Sequence, residues 1–150
     1  MVPSRPDSGK GGPSPGDPGR TRAQMDLPLD EHAPLRARRA VGDLLAACRV
    51  SDDAVLYDAR LLTSELVTNA VRHGADQVVL ELERRPAGLM VAVRDGSAAL
   101  PRPRSAGQAD EGGRGLAIVE AVSDDWGVDH LPAGGKRVWA LLPLPRAATG

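Results

Sequence analysis

The stretch Glu65–Gly74, ELVTNAVRHG, ends a long segment of helical apolar periodicity, yet it carries polar side chains at regular intervals. Glu65, Asn69 and His73 are four residues apart, so they share one stripe of a helix, next to the stripe that is buried. Asn is unfavourable in the middle of a helix because its side chain competes for backbone hydrogen bonds. A solvated helix face would explain such spacing, and so would a set of ligand-binding groups.

The segment around this stretch predicts two consecutive helices. The second helix begins after the cap candidates Ser51, Asp52 and Asp53 and runs to Gly74. Its buried positions share one helical stripe: Val55, Ala59, Leu62, Leu66 and Ala70. The first helix is predicted from Pro34 to Cys48, with its own apolar stripe at Val41, Leu44, Leu45 and Cys48. Arg36, Arg38 and Arg39 at its start are either a solvated face or part of a partner surface.

After Gly74 the apolar period changes from helical to two. In QVVLELER, Val78, Leu80 and Leu82 alternate with Val79, Glu81 and Glu83, and GLMVAVRD repeats this period with Leu89, Val91 and Val93. RPAG between the two segments predicts a hairpin. Residues 98–114 show no periodicity and predict a mobile loop. A third helix, LAIVEAVSD, follows Gly115, and PAGGK joins two closing strands near Trp126–His130 and Arg137–Leu142. This order predicts an α+β fold, a two-layer α/β sandwich with helices on one face of a mostly antiparallel sheet.

Length and composition divide the chain into one domain with tails. The 150 residues suffice for a single core. Residues 1–26 are rich in Pro, Gly, Ser and charge, so we expect a disordered N-terminal tail there, a domain at 27–145 and a short C-terminal tail at 146–150.

Charge and cysteine content exclude several classes of protein. There are 19 Lys+Arg against 20 Asp+Glu, a net charge of -1, so we expect neither direct nucleic-acid binding nor attraction to a membrane surface. The single cysteine, Cys48, cannot form an intramolecular disulfide, and the sequence has no cysteine-histidine zinc pattern. The apolar runs are too short to span a bilayer. We therefore expect a soluble, cytoplasmic protein.

Two further polar elements follow the helix that carries Asn69. Asp95 ends an alternating strand in RDGS, where it could accept a hydrogen bond from an exocyclic amine or only form an Asp-Gly turn. The glycines of EGGRGLAIVEA precede a helix, where backbone N–H groups could bind an anion or simply form a helix entry. The sequence contains no P-loop motif, and GGRG does not follow a strand within a βαβ unit.

In this order, the three elements resemble the N, G1 and G2 boxes of the GHKL superfamily, the histidine-kinase-like ATPases with the Bergerat ATP-binding fold. The resemblance covers about residues 27–145. The segments SELVTNAVRHG, VRDGS, GGRGLAIVEAV and GKRVWALLPL look most like the anti-sigma-factor serine kinases and their small stand-alone relatives in high-GC bacteria.

The resemblance implies a role for each matching residue. Asn69 would hold Mg²⁺, and Glu65 would be the catalytic base that takes the proton of a serine hydroxyl. Asp95 would bind the adenine amino group of ATP. The remaining nucleotide-binding positions are Gly96, Ser97, Gly113, Arg114, Gly115 and Leu116. His73 has no implied role, and we expect it to cap the helix C-terminus.

The sequence departs from the family pattern at two places. The G1 pattern D-x-G-x-G reads Asp95 to Ala99 here, so both later glycines are replaced. Where the family has a Thr that supports the adenine site, this chain has Lys136 and Arg137, whose charge either disturbs adenine recognition or faces solvent.

Three functions are compatible with these residues. The first is an ATP-dependent serine/threonine protein kinase that phosphorylates an anti-sigma antagonist and sequesters a sigma factor; the family likeness leaves a homodimer open. The second is a catalytically silent regulator that binds ATP or a partner and acts by contact alone. The third, a catalytic domain from a two-component sensor kinase, is disfavoured because no dimerisation helix with a phospho-accepting His precedes residue 50, and His32 lies before the apolar periodicity begins.

Overall fold

The computed structural model describes residues 21–72, 76–96 and 115–145. In chain order, the elements of these residues are β1 (Thr21–Leu27), α1 (Ala33–Ala47), α2 (Asp53–Arg72), β2 (Val78–Arg85), β3 (Gly88–Asp95), α3 (Gly115–Val122), β4 (Asp125–His130) and β5 (Lys136–Pro143). The predicted α+β class is confirmed.

Within the described residues, the strands form one five-stranded sheet in the order β1-β2-β3-β5-β4. Each neighbouring pair is antiparallel. Because β4 lies outside β5, the chain returns from α3 to the sheet edge and then inserts β5 beside β3. This insertion brings the start of β5 next to the end of β3, where Asp95 pairs with Lys136.

One face of the sheet packs against the helices and forms the main core. The inward rows that the sequence predicts are Val78, Leu80 and Leu82 on β2 and Leu89, Val91 and Val93 on β3, and both rows belong to the core. On β5, Val138, Ala140 and Leu142 form a third inward row. From α2, the buried stripe includes Ala59, Leu62, Leu66 and Ala70, and α1 adds Val41, Leu44 and Leu45. The predicted arrangement, with helices against one side of an antiparallel sheet, follows from this burial of two amphipathic surfaces.

Local hydrogen bonds explain where α1 ends and α2 begins. The Asp52 carboxylate accepts hydrogen bonds from the backbone N–H groups of Ala54 (2.9 Å) and Val55 (3.1 Å), so Asp52 is the N-cap among the three predicted candidates. After α1, Arg49 has a φ of 63°, and the N–H of Val50 donates to the carbonyl of Leu45 at 2.9 Å. This is the left-handed ending that usually uses glycine.

In the described part of the chain, every helix is too short or too polar to cross a membrane.

The N-terminal boundary of the fold differs from the sequence-based expectation. The predicted disordered tail of residues 1–26 is wrong for residues 21–26, which belong to β1 and pair with β2. Met25 and Leu27 face the core, and Gln24 and Asp26 between and beside them are exposed. This short edge strand directly follows the Pro- and Gly-rich segment, so it was included in the predicted tail. Residues 1–20, 98–114 and 146–150 lie outside the described residues, and the predictions for them are untested.

Candidate functional site

A small cavity lies between α2 and the adjoining ends of β3 and β5. Its walls are Leu66, Asn69, Ala70, Val93, Asp95, Lys136 and Val138. The cavity encloses about 10 Å³, which is room for about one water molecule. Two of the polar residues singled out from the sequence, Asn69 and Asp95, therefore line the same cavity.

Lys136 and Asp95 form a buried ion pair in the wall of this cavity. The Lys136 Nζ atom lies 3.1 Å from Asp95 Oδ1 and 3.1 Å from Oδ2, and it donates to both. The exposed fraction is 2% for the lysine side chain and 1% for the aspartate side chain. Buried charges of this kind are costly unless they are paired, so each of these side chains depends on the other.

The alternation of the strands explains why both side chains point toward the helices. Asp95 is two residues beyond the inward-facing Val93, and Lys136 is two residues before the inward-facing Val138. The turn before β5 also presses on β3: a Cβ on Gly135, whose φ is 89°, would lie 2.2 Å from the backbone oxygen of Asp95. A glycine is required at this contact, directly before Lys136 in the chain.

Arg137 lies on the opposite face of the sheet. Its Nε donates to Glu81 Oε1 at 3.0 Å, and its Nη1 lies 3.5 Å from Asp129 Oδ2. Of the two basic residues that replace the family Thr, only Lys136 belongs to the cavity wall. The alternative that the charge at this position faces solvent is wrong for Lys136, because strand alternation turns it into the core.

Glu65 and Asn69 lie one turn apart on α2, both of them half-buried. Asn69 lines the cavity, whereas Glu65 lies outside its walls. The stripe predicted from the sequence therefore brings the carboxamide to the cavity and leaves the carboxylate one turn nearer the helix N-terminus. The role of Glu65 as the base that takes a proton from a serine hydroxyl stays a prediction.

The other predicted site residues are described in part. Gly96 directly follows β3 and adjoins the Asp76 carboxylate, and Gly115 and Leu116 begin α3. Ser97, Gly113 and Arg114 lie outside the described residues, as does His73. Binding of a nucleotide by Gly96, Gly115 and Leu116 stays a prediction.

The donor set beside the cavity is compatible with a Mg²⁺ ion held mainly by a nucleotide. Mg²⁺ usually keeps several waters and takes one or two protein oxygens together with substrate phosphates. In the described residues, no group of three or more His, Cys, Asp or Glu side chains gathers into a protein cage for a metal. The half-buried side-chain amide of Asn69 could supply one such protein oxygen to a Mg²⁺ ion that is also bound by the phosphates of a nucleotide.

The polar members of the cavity could be recognised in the sequence, whereas its apolar walls could not. Leu66 and Ala70 were predicted on the buried stripe of α2 and Val93 on the alternating row of β3, whereas Val138 was not singled out. All four line the cavity that Asp95 also lines. The pairing of Lys136 with Asp95 was missed. Its signal was available: extending the inward alternation of β5 back from Val138 reaches Lys136, directly opposite the strand that ends at Asp95.

Comparison with known families agrees with this geometry. Residues 28–141 match the histidine kinase-like ATPase domain, so the chain belongs to that family. The match includes α2, the β2–β3 hairpin and the Asp95–Lys136 pair. A comparison with curated proteins gives no match.

Solved structures include a similar fold. The chain is similar to the crystal structure of the RsbU and RsbW domains of Rv1364c from Mycobacterium tuberculosis, with a TM-score of 0.60 and 23% sequence identity. The alignment covers 87% of this chain and 35% of that one, so the chain spans about a third of that protein's length. At this identity, the similarity concerns the fold.

Proposed function

We propose that this protein is an ATP-binding regulator that acts as an anti-sigma-factor serine/threonine kinase. The observation that carries the proposal is the convergence of Asn69 and Asp95 on one cavity inside a histidine kinase-like ATPase domain. The partners would be a sigma factor and the antagonist protein that receives the phosphate. Family membership and the fold shared with an RsbW domain support this choice.

Each side chain would have a separate task in this reaction. Asp95 would accept a hydrogen bond from the nucleobase, and Asn69 would supply an amide oxygen to Mg²⁺, which neutralises charge on the phosphates. Glu65 would accept the proton of the attacking serine hydroxyl. The serine Oγ would form a bond to the γ-phosphorus while the bond from that phosphorus to the β–γ bridging oxygen breaks, and ADP would leave.

Phosphate transfer to protein serine tests the catalytic part of the proposal. The purified chain is incubated with γ-labelled ATP, Mg²⁺ and a candidate antagonist, and label on the antagonist is measured. We expect transfer by the wild-type chain and a loss of at least about 100-fold in Glu65→Gln, in keeping with removal of a general base. Nucleotide affinity should stay within about twofold, because Glu65 lies outside the cavity walls.

Glu31→Gln is the matched control because it removes an exposed carboxylate before α1. It should transfer phosphate at the wild-type rate. If Glu65→Gln retains full activity, Glu65 is not the base.

A second candidate function is favoured by the buried ion pair. Lys136 already occupies both oxygens of the carboxylate proposed to bind the base, and the cavity beside it is small. A regulator that acts by partner contact without phosphate transfer would be compatible with such a pocket. Binding of ATP without label transfer to any antagonist, in the assay above, would support this candidate.

A further inference from the structure

The buried ammonium of Lys136 changes what the candidate base pocket can recognise. A carboxylate only accepts hydrogen bonds, so Asp95 alone would favour the amino group at position 6 of adenine and repel the carbonyl at position 6 of guanine. Lys136 introduces a donor next to that acceptor, since its Nζ touches both oxygens of Asp95. The cavity wall therefore carries a donor and an acceptor side by side.

Lys136 has hydrogen-bonding capacity beyond this pair. An ammonium group has three N–H donors, and Asp95 is the partner found for Nζ within the described residues. A carboxylate offers about four lone-pair positions on its two oxygens, so it can accept from more than one donor at a time. Both groups could bind a base edge without separating from each other.

Adenine and 6-oxopurines such as guanine present a donor and an acceptor in opposite order along the edge formed by positions 6 and 1. Adenine presents its amino donor at position 6 beside the N1 acceptor, whereas a 6-oxopurine presents an O6 acceptor beside the N1–H donor. The adenine amino group would donate to Asp95 while Lys136 donates to N1. With guanine, the base edge would lie in the reversed orientation, so that O6 accepts from Lys136 while N1–H donates to Asp95, and no two acceptors face each other.

We propose that Lys136 is a specificity-determining residue that lets this pocket bind both adenine and guanine nucleotides. The inference rests on the proposed nucleotide site. It follows from the burial of the pair, the register that places Lys136 opposite Asp95, and the position of both residues in the cavity wall.

The test compares Mg²⁺ complexes of ATP, GTP and ITP by isothermal titration with the full chain. We expect wild-type dissociation constants for ATP and GTP within about tenfold of each other, and ITP close to GTP because it shares the O6 and N1–H edge. In Lys136→Met and Lys136→Thr, the preference for ATP over GTP should rise by about 10- to 100-fold, because guanine O6 would then meet the Asp95 carboxylate with no donor beside it, whereas the adenine amino group would still donate to Asp95.

Arg137→Met is the matched control, because it removes a positive charge from the next residue on the opposite face of the sheet. Its ATP-to-GTP ratio should equal that of the wild type.

Thermal unfolding of each variant shows whether it is folded. If both Lys136 variants are unfolded, the ratio of the ATP and GTP dissociation constants of the wild-type chain decides whether the pocket binds both nucleotides. ATP binding with rejection of GTP and ITP would overturn this inference alone, as would an unchanged ratio in folded Lys136 variants. Absence of binding by all three nucleotides would overturn the proposed nucleotide site as well.

Discussion

Asp95 and Lys136 face each other in register across β3 and β5, and their charged groups are 3.1 Å apart in the protein interior. The pair lies at the end of the inward rows that form the core, where the next inward-facing residues are Val93 on β3 and Val138 on β5. It is therefore part of both the packing of the sheet and the wall of the candidate nucleotide site. Its removal should affect stability and binding separately.

Lys136→Met should destabilise the protein because it leaves the Asp95 carboxylate buried without its cation. Breaking a buried pair in this way typically costs about 3–5 kcal/mol of unfolding free energy. Urea unfolding of the wild-type and variant chains measures the loss.

The double variant Asp95→Asn, Lys136→Met removes both charges, so it should recover at least half of that loss. A double variant no more stable than Lys136→Met would show that the cost comes from lost packing of the lysine stem.

Gly135→Ala should distort the site, because its Cβ would lie 2.2 Å from the backbone oxygen of Asp95. Gly134→Ala is a matched control, since Gly134 also has a positive φ (102°) but has no atom within 4 Å of the Cβ position. Both variants should carry the conformational cost of a non-glycine residue, about 1–2 kcal/mol. Only Gly135→Ala should lose more than this in thermal or urea unfolding and also weaken nucleotide binding; equal effects of the two variants would contradict the proposed contact.

Arg49→Gly should stabilise the chain by about 0.5–1 kcal/mol, because Arg49 holds a left-handed backbone conformation at the end of α1. The gain is limited by the greater entropy of glycine in the unfolded chain. Ala47→Gly, within the last turn of α1, is the control and should destabilise by about 1 kcal/mol. Urea midpoints compare the two; a loss of stability in Arg49→Gly would show that the arginine side chain contributes more than its backbone costs.

Patterns of apolar residues predicted most of the fold because its elements are amphipathic. The stripe of α2 and the inward rows of β2 and β3 pack against each other, and these buried faces determine the two-layer arrangement. The strand β1 was missed because it is a short edge strand with mostly exposed residues, so its two inward apolar side chains give little signal.

The site could be predicted residue by residue, but not as a set of contacts. Asn69 and Asp95 were identified from their positions on a helix and at a strand end. The ion pair depends on β5 entering the sheet beside β3, a long-range pairing that local periodicity does not encode. Adjacent residues on a strand face opposite sides, so the alternation of β5 favours Lys136 over Arg137 as the inward residue once Val138 is known to face the core.

The most direct test of the account is isothermal titration of the full chain with ATP and Mg²⁺, compared with Asn69→Ala and Thr68→Ala. Both residues are half-buried neighbours on α2, and only Asn69 lines the cavity. We expect the wild-type chain and Thr68→Ala to bind ATP with similar affinity, and Asn69→Ala to bind at least about tenfold more weakly in Mg²⁺, with a smaller difference in EDTA. Absence of ATP binding by the wild-type chain, or equal affinities of wild type and Asn69→Ala in Mg²⁺, would contradict the assignment of this cavity as the nucleotide site.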